Sequence, residues 1–155
     1  MTSRNMLAMK AVRSCTMLLI FLGAGVFTCQ AQQQRCSWAD ANQKEREVGR
    51  VRSWNALYQS YRRFAPCPDD GELAEGYDEV VARLLLDHWD SLPQLAVLVK
   101  KDPRFKAFAL RHVSLTALDT NDLTKLRTKA VKHCPVGHDD LCKDLRRRVE
   151  YDLSQ

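Results

Sequence analysis

The chain has no stretch in which polar and apolar residues alternate long enough to make a convincing strand. No serine stands in a nucleophile-elbow pattern, and no glycine-rich loop is present to cradle a phosphate. Glycine is scarce at 6 of 155 residues, and proline at 5. Helices can therefore run with few interruptions, and the prolines and glycines that do occur mark where they stop. These absences exclude an all-β fold, a P-loop nucleotide enzyme and an α/β-hydrolase.

Long apolar runs are also lacking, with one exception. CTMLLIFLGAGVF, residues 15–27, follows the basic, acid-free MTSRNMLAMKAVR and precedes TCQAQQQR. A basic start, an apolar run and a small-x-small cut are the parts of a secretory signal peptide. Cleavage is expected after Ala31, with Cys29 as the small residue two places before it. The run is short of the roughly 20 residues a membrane span needs, so no stable membrane insertion is expected after cleavage. A lipid anchor on Cys29 is the lesser alternative, because Thr28 is a poor residue to precede an acylated cysteine. The expectation is an exported protein, periplasmic or secreted. Residues 1–31 form the signal, 32–42 an N-terminal tail and 43–155 one helical domain.

The whole chain carries 24 basic and 19 acidic residues. Removing residues 1–31 discards Arg4, Lys10 and Arg13 and no acid, so the remaining 124 residues carry 21 basic groups against 19. That balance gives little support for nucleic-acid binding, which rests on a clustered positive surface. YQSYRRF, residues 58–64, mixes aromatics with arginines as single-strand platforms do. Here Tyr58 and Tyr61 follow a core stripe, so their rings are expected to point inward.

Four cysteines remain after cleavage: Cys36, Cys67, Cys134 and Cys142. An even number in an exported chain reads as disulfides. Sequence leaves three connectivities open; the pairing favoured is Cys67–Cys134 with Cys36–Cys142. KHCPVGHDDLC, residues 132–142, offers His133, Cys134, His138 and Cys142 as metal ligands. Their spacing matches no common zinc site, and an oxidising compartment competes for the thiols. No metal and no cofactor are expected. A catalytic Cys134 with His138 as base would need a reduced thiol and is set aside. The segment reads as a Pro-Gly turn between two helices, the second capped by Asp139 or Asp140.

Apolar spacing is helical nearly throughout. EREVGRVRSWNALYQSYRRFA aligns Val48, Val51, Trp54, Tyr58, Tyr61 and Ala65 and stops at PCPDDG. GELAEGYDEVVARLLLDHW aligns Leu73, Tyr77, Val80, Val81, Leu84, Leu85 and His88. Ser91 with Pro93, and Asp102 with Pro103, open the next two helices. Phe105, Phe108, Ala109 and His112 form one stripe. Leu123, Leu126, Ala130 and Cys134 form another, behind a Thr or Asn cap. Leu141, Leu145, Val149 and Leu153 form the last. The prediction is an all-α single domain of about six short-to-medium antiparallel helices, stapled by disulfides, with a solenoid-like cadence in the central ones.

Charge is uneven along this chain. Residues 32–65 carry seven basic and three acidic groups, and residues 93–155 carry thirteen and eight. Between them, residues 66–92 hold eight acids against Arg83 alone. Asp69, Asp70, Glu72, Glu75, Asp78 and Glu79 are therefore the candidate contact residues for another protein of basic character. Neighbouring carboxylates on one exposed helix face do not make the cleft-spanning pair of a glycosidase, and PDDGELAEGYDE lacks the ligand order of a calcium loop. Gly76 inside the acidic helix points to close approach of another helix. His88 and His112, each on an apolar stripe, read as satisfied core residues.

In architecture, an exported, disulfide-bearing helical domain of this size is similar to small periplasmic inhibitor and immunity proteins. No motif carries that likeness. The function expected is a non-enzymatic, protein-binding module of the bacterial envelope, with no catalytic residues. The alternatives are an envelope-polymer hydrolase using His88 and nearby carboxylates, or a lipid-anchored structural component.

Overall fold

The structure, a computed structural model, describes residues 38–155 apart from Pro66 and Pro68, with side chains from residue 42 onward. The described residues belong to one compact unit. They are helical, with no strand among them, and run α1 (Trp38–Val48), α2 (Trp54–Phe64), α3 (Gly71–Leu86), a short 3-10 turn (Trp89–Ser91), α4 (Leu92–Lys101), α5 (Pro103–Arg111), α6 (Thr120–Lys132) and α7 (Asp139–Leu153). The signal segment, Cys29 and Cys36 lie outside the described residues.

Among the described residues there are seven α-helices where about six were expected, because the first long stripe is two helices. The chain turns at Gly49–Arg50, and Ser53 caps α2 by accepting a hydrogen bond from the Ala56 amide at 3.2 Å. Val48 and Val51 stay buried on either side of the break, which is why the apolar spacing alone ran through it. The Arg83 guanidinium then holds the connection by donating to the Val51 carbonyl at 2.8 Å.

The other boundaries follow their caps. Asp102 accepts from the Arg104 and Phe105 amides at the start of α5, with Pro103 at the first helical position. Asp119, rather than a Thr or Asn, caps α6 through the Asp122 amide at 2.8 Å. At α7 neither Asp139 nor Asp140 is the cap. Both sit in the first turn behind His138, where their charge favours the positive end of the helix dipole. Helix α3 ends at Leu86, two residues before His88. Lys129 closes it by donating to the Leu86 carbonyl at 2.8 Å, and His88 stands exposed beyond it.

The core is aliphatic around Leu84 and Leu85 of α3, Leu95 of α4, and Leu123 and Leu126 of α6. It is aromatic where α2 meets α5. Tyr58 and Tyr61 do point inward: the Tyr58 ring meets Phe105 edge-on at 4.9 Å, and Tyr61 lies 4.8 Å from Phe108.

Cys134 is bonded to Cys142, and the expected Cys67–Cys134 and Cys36–Cys142 pairing is corrected. Gly137, at φ 81°, turns the chain between α6 and α7, with the His138 amide donating to the Pro135 carbonyl at 3.1 Å. That turn and the first turn of α7 bring the two cysteine Cα atoms to 6.0 Å, inside the range a disulfide spans. Cys67 is also disulfide-bonded.

Candidate functional site

The six acids singled out in the sequence separate into two groups. Asp69 and Asp78 turn inward. Asp78 is buried on α3, and its two oxygens face the His112 Nδ1 at 2.6 Å and accept the Ser114 hydroxyl at 2.6 Å. Asp69, just before α3, faces the other ring nitrogen of His112 at 2.9 Å. It also pairs with Arg111 and, at 3.8 Å, with Lys44 of α1. His112 is therefore a satisfied core histidine held between two carboxylates. With both nitrogens engaged it has no lone pair free for general-base chemistry.

The electrostatics of this network follow from burial and partners. Burial alone would lower the His112 pKa; the hydrogen bonds and charges of Asp69 and Asp78 outweigh it and raise the pKa above its ordinary value. Burial would raise the Asp69 pKa, but the bond and charge from His112, with Lys44 and Arg111, hold it below the ordinary carboxylate value. Lys44 is 2 % exposed and lies over the Tyr77 ring at 5.1 Å. Its burial lowers its pKa despite Asp69. The same burial pushes the Tyr77 phenol up to about 12.

The second group faces outward. Glu72, Glu75 and Glu79 are exposed on α3, and Asp70 is exposed at its N-terminal cap position. Spacings of three and four put the glutamates along one face. Together with Glu45 of α1 they border a groove of about 340 Å³. Its apolar lining comes from Val48, Leu73 and Val80. Gly76 lets the helices come this close: a Cβ there would stand 3.3 Å from the Val48 Cγ1 atom. None of the four glutamates makes an ion pair or side-chain hydrogen bond among the described residues. Arg83 also borders the groove, but its guanidinium is engaged with the Val51 carbonyl.

Sequence reasoning missed Glu45 because α1 was merged with α2. The signal was present in GRVRSW, a glycine followed by a Ser cap four residues before Leu57. Glu79 borders the groove, whereas His88 does not. Among the described residues, no three of His, Cys, Asp and Glu gather closely enough to hold a metal ion. Compared with protein-family models, with curated proteins and with solved structures, the chain finds no significant match.

Proposed function

We propose that this protein is an exported, non-enzymatic binding module that receives a basic helical segment of another protein in the groove between α1 and α3. One observation carries the reading: four unpaired glutamates from two helices rim a concavity that has Val48, Leu73 and Val80 in its lining. Like charges three and four residues apart repel each other on a helix. A lysine- or arginine-bearing partner relieves that repulsion. The half-buried Leu73, with Val48 and Val80 beneath it, offers the apolar contact for one face of an amphipathic helix, as in helix-in-groove recognition. Exposed ion pairs contribute at most about 1 kcal/mol each, so the carboxylates act mainly on encounter rate and partner choice.

The test compares two baits in an envelope extract, the wild type and Glu72→Lys/Glu75→Lys/Glu79→Lys. The wild type is expected to retain a basic protein that the reversed variant loses. With that protein purified, association with the wild type slows as salt rises. Association with the variant is slower at low salt and no longer slows as salt rises, because the reversed charges repel a basic partner and salt screens that repulsion. Equal association of both at every ionic strength overturns the reading.

Export is part of the same proposal and rests on residues 1–31. Mass spectrometry of the mature N-terminus is expected to find a chain beginning at Gln32. An acylated Cys29 would instead favour the lipid-anchored alternative, and an intact Met1 in material outside the cytoplasm would contradict cleavage.

A further inference from the structure

The α1–α3 pair also borders a second concavity of opposite character. Lys44 follows Gln43 on α1 one residue before the groove's Glu45, and Tyr77 follows Gly76 on α3. These two residues, with side chains of α2 and α5, line a cavity of about 260 Å³. Among the described residues that line it are the cations Lys44, Arg104 and Arg111 and the carboxylate of Asp69.

Asp69 is shared among Lys44, Arg111 and His112. Asp70 also acts on Lys44 but is exposed. Arg104 makes no ion pair and no side-chain hydrogen bond among the described residues. The nearest acid in sequence, Asp102, is occupied: one oxygen caps α5 and the other accepts the Tyr58 hydroxyl at 3.3 Å. The Arg104 guanidinium thus stands at the cavity with its planar donor fork unused. That fork matches the two oxygens of a carboxylate or phosphate.

The walls are aromatic. Tyr61 and Phe108 line the cavity with their rings 4.8 Å apart and inclined by 45°. A third ring, Tyr77, is held in place by a hydrogen bond between its hydroxyl and Ser60 at 3.1 Å. The volume falls below the roughly 300–1,000 Å³ of drug-sized ligand sites. It suits a single ring with one charged substituent.

We propose that this cavity binds a small aromatic anion, a planar ring bearing a carboxylate or phosphate. The ring lies among Tyr61, Phe108 and Tyr77, and its oxyanion is held by Arg104 and Arg111. The site is independent of the acidic groove, so failure of either proposal leaves the other standing.

The test is an amide NMR titration of the oxidised protein with benzoate, phenyl phosphate and, as the neutral control, benzyl alcohol. Saturable shifts are expected at Tyr61, Arg104, Phe108 and Arg111. Both anions should bind at least about tenfold more tightly than the alcohol, as a charge-assisted hydrogen bond implies. Arg104→Gln should remove most of that difference while leaving the alcohol unaffected. Because Arg104 is exposed, the variant should melt as the wild type does, and its spectrum checks that it is folded. Arg104→Lys should keep part of the preference. Three outcomes overturn the proposal: no saturable shift with either anion at millimolar concentration, equal binding of benzyl alcohol, or an Arg104→Gln protein that binds both anions as before.

Discussion

His112 of the α5 C-terminus and Asp78 of α3 face one another at 2.6 Å, both buried. With Asp69 on the second ring nitrogen, this joins the start of α3, its middle and the end of α5 through one imidazole. Removing the ring takes a charged partner from two partly or wholly buried carboxylates, leaving Asp78 with only the Ser114 hydroxyl and Asp69 with Arg111 and Lys44. His112→Ala is therefore expected to destabilise the protein by roughly 3 kcal/mol or more. Urea unfolding measures this, with the slope unchanged if the fold persists. A loss under about 1 kcal/mol would show that water replaces the ring without penalty.

The same network sets a pH window. The folded pKa of His112 lies above its ordinary value of 6.5. Its contribution is fully present below that pH and is lost as pH rises through the folded pKa. Asp69 is depressed below 3.8, so its contribution is present above that pH and is lost as pH falls through the lower folded value. Stability should therefore decline on the alkaline side of 6.5 and again in acid. Urea midpoints across pH check both arms. In His112→Gln the alkaline decline should flatten, because no proton is left to lose there.

Gly76 and Val48 should be coupled. Alanine at 76 gains about 1 kcal/mol of helix propensity, but its Cβ would meet the Val48 Cγ1 at 3.3 Å. In the wild-type background the two effects oppose each other, and the net change is expected to be small. In a Val48→Ala background the obstruction is gone, and Gly76→Ala should stabilise by more. A double-mutant cycle reads the difference directly. Strict additivity would mean that the two helices do not touch there.

The staple of the α6–α7 turn is expected to matter locally. Cys134 and Cys142 are eight residues apart, and a loop that short accounts for about 2.5 kcal/mol in the chain-entropy model. Replacing both with serine should reduce stability by that order. Non-reducing peptide mapping should find Cys134 linked to Cys142 and, in the mature chain, Cys67 linked to Cys36. A Cys67–Cys134 peptide would contradict the turn geometry.

Much of the helical frame was legible from residues alone. Asp102–Pro103 announced α5 because capping and fixed φ are local properties, and Gly76 announced a close neighbour because a glycine inside a helix costs stability that close packing offsets. The break at Gly49 was hidden because Val48 and Val51 are buried on both sides of it. Apolar periodicity records burial, not continuity. The six acids shared one charge label in the sequence. Their division into a buried pair and an exposed row depends on where α5 delivers His112, a tertiary contact 34 residues from Asp78. The local pairing of Cys134 was missed because a disulfide depends on Cα separation across a turn, which spacing alone does not report.

The groove reading is tested most directly by hydrogen–deuterium exchange on the complex with the basic partner. Amides of residues 45–49 and 72–83 should exchange more slowly in the complex than in the free protein, while α6 and α7 stay unchanged. Protection confined to α6 and α7, with α1 and α3 exchanging as in the free chain, would contradict it.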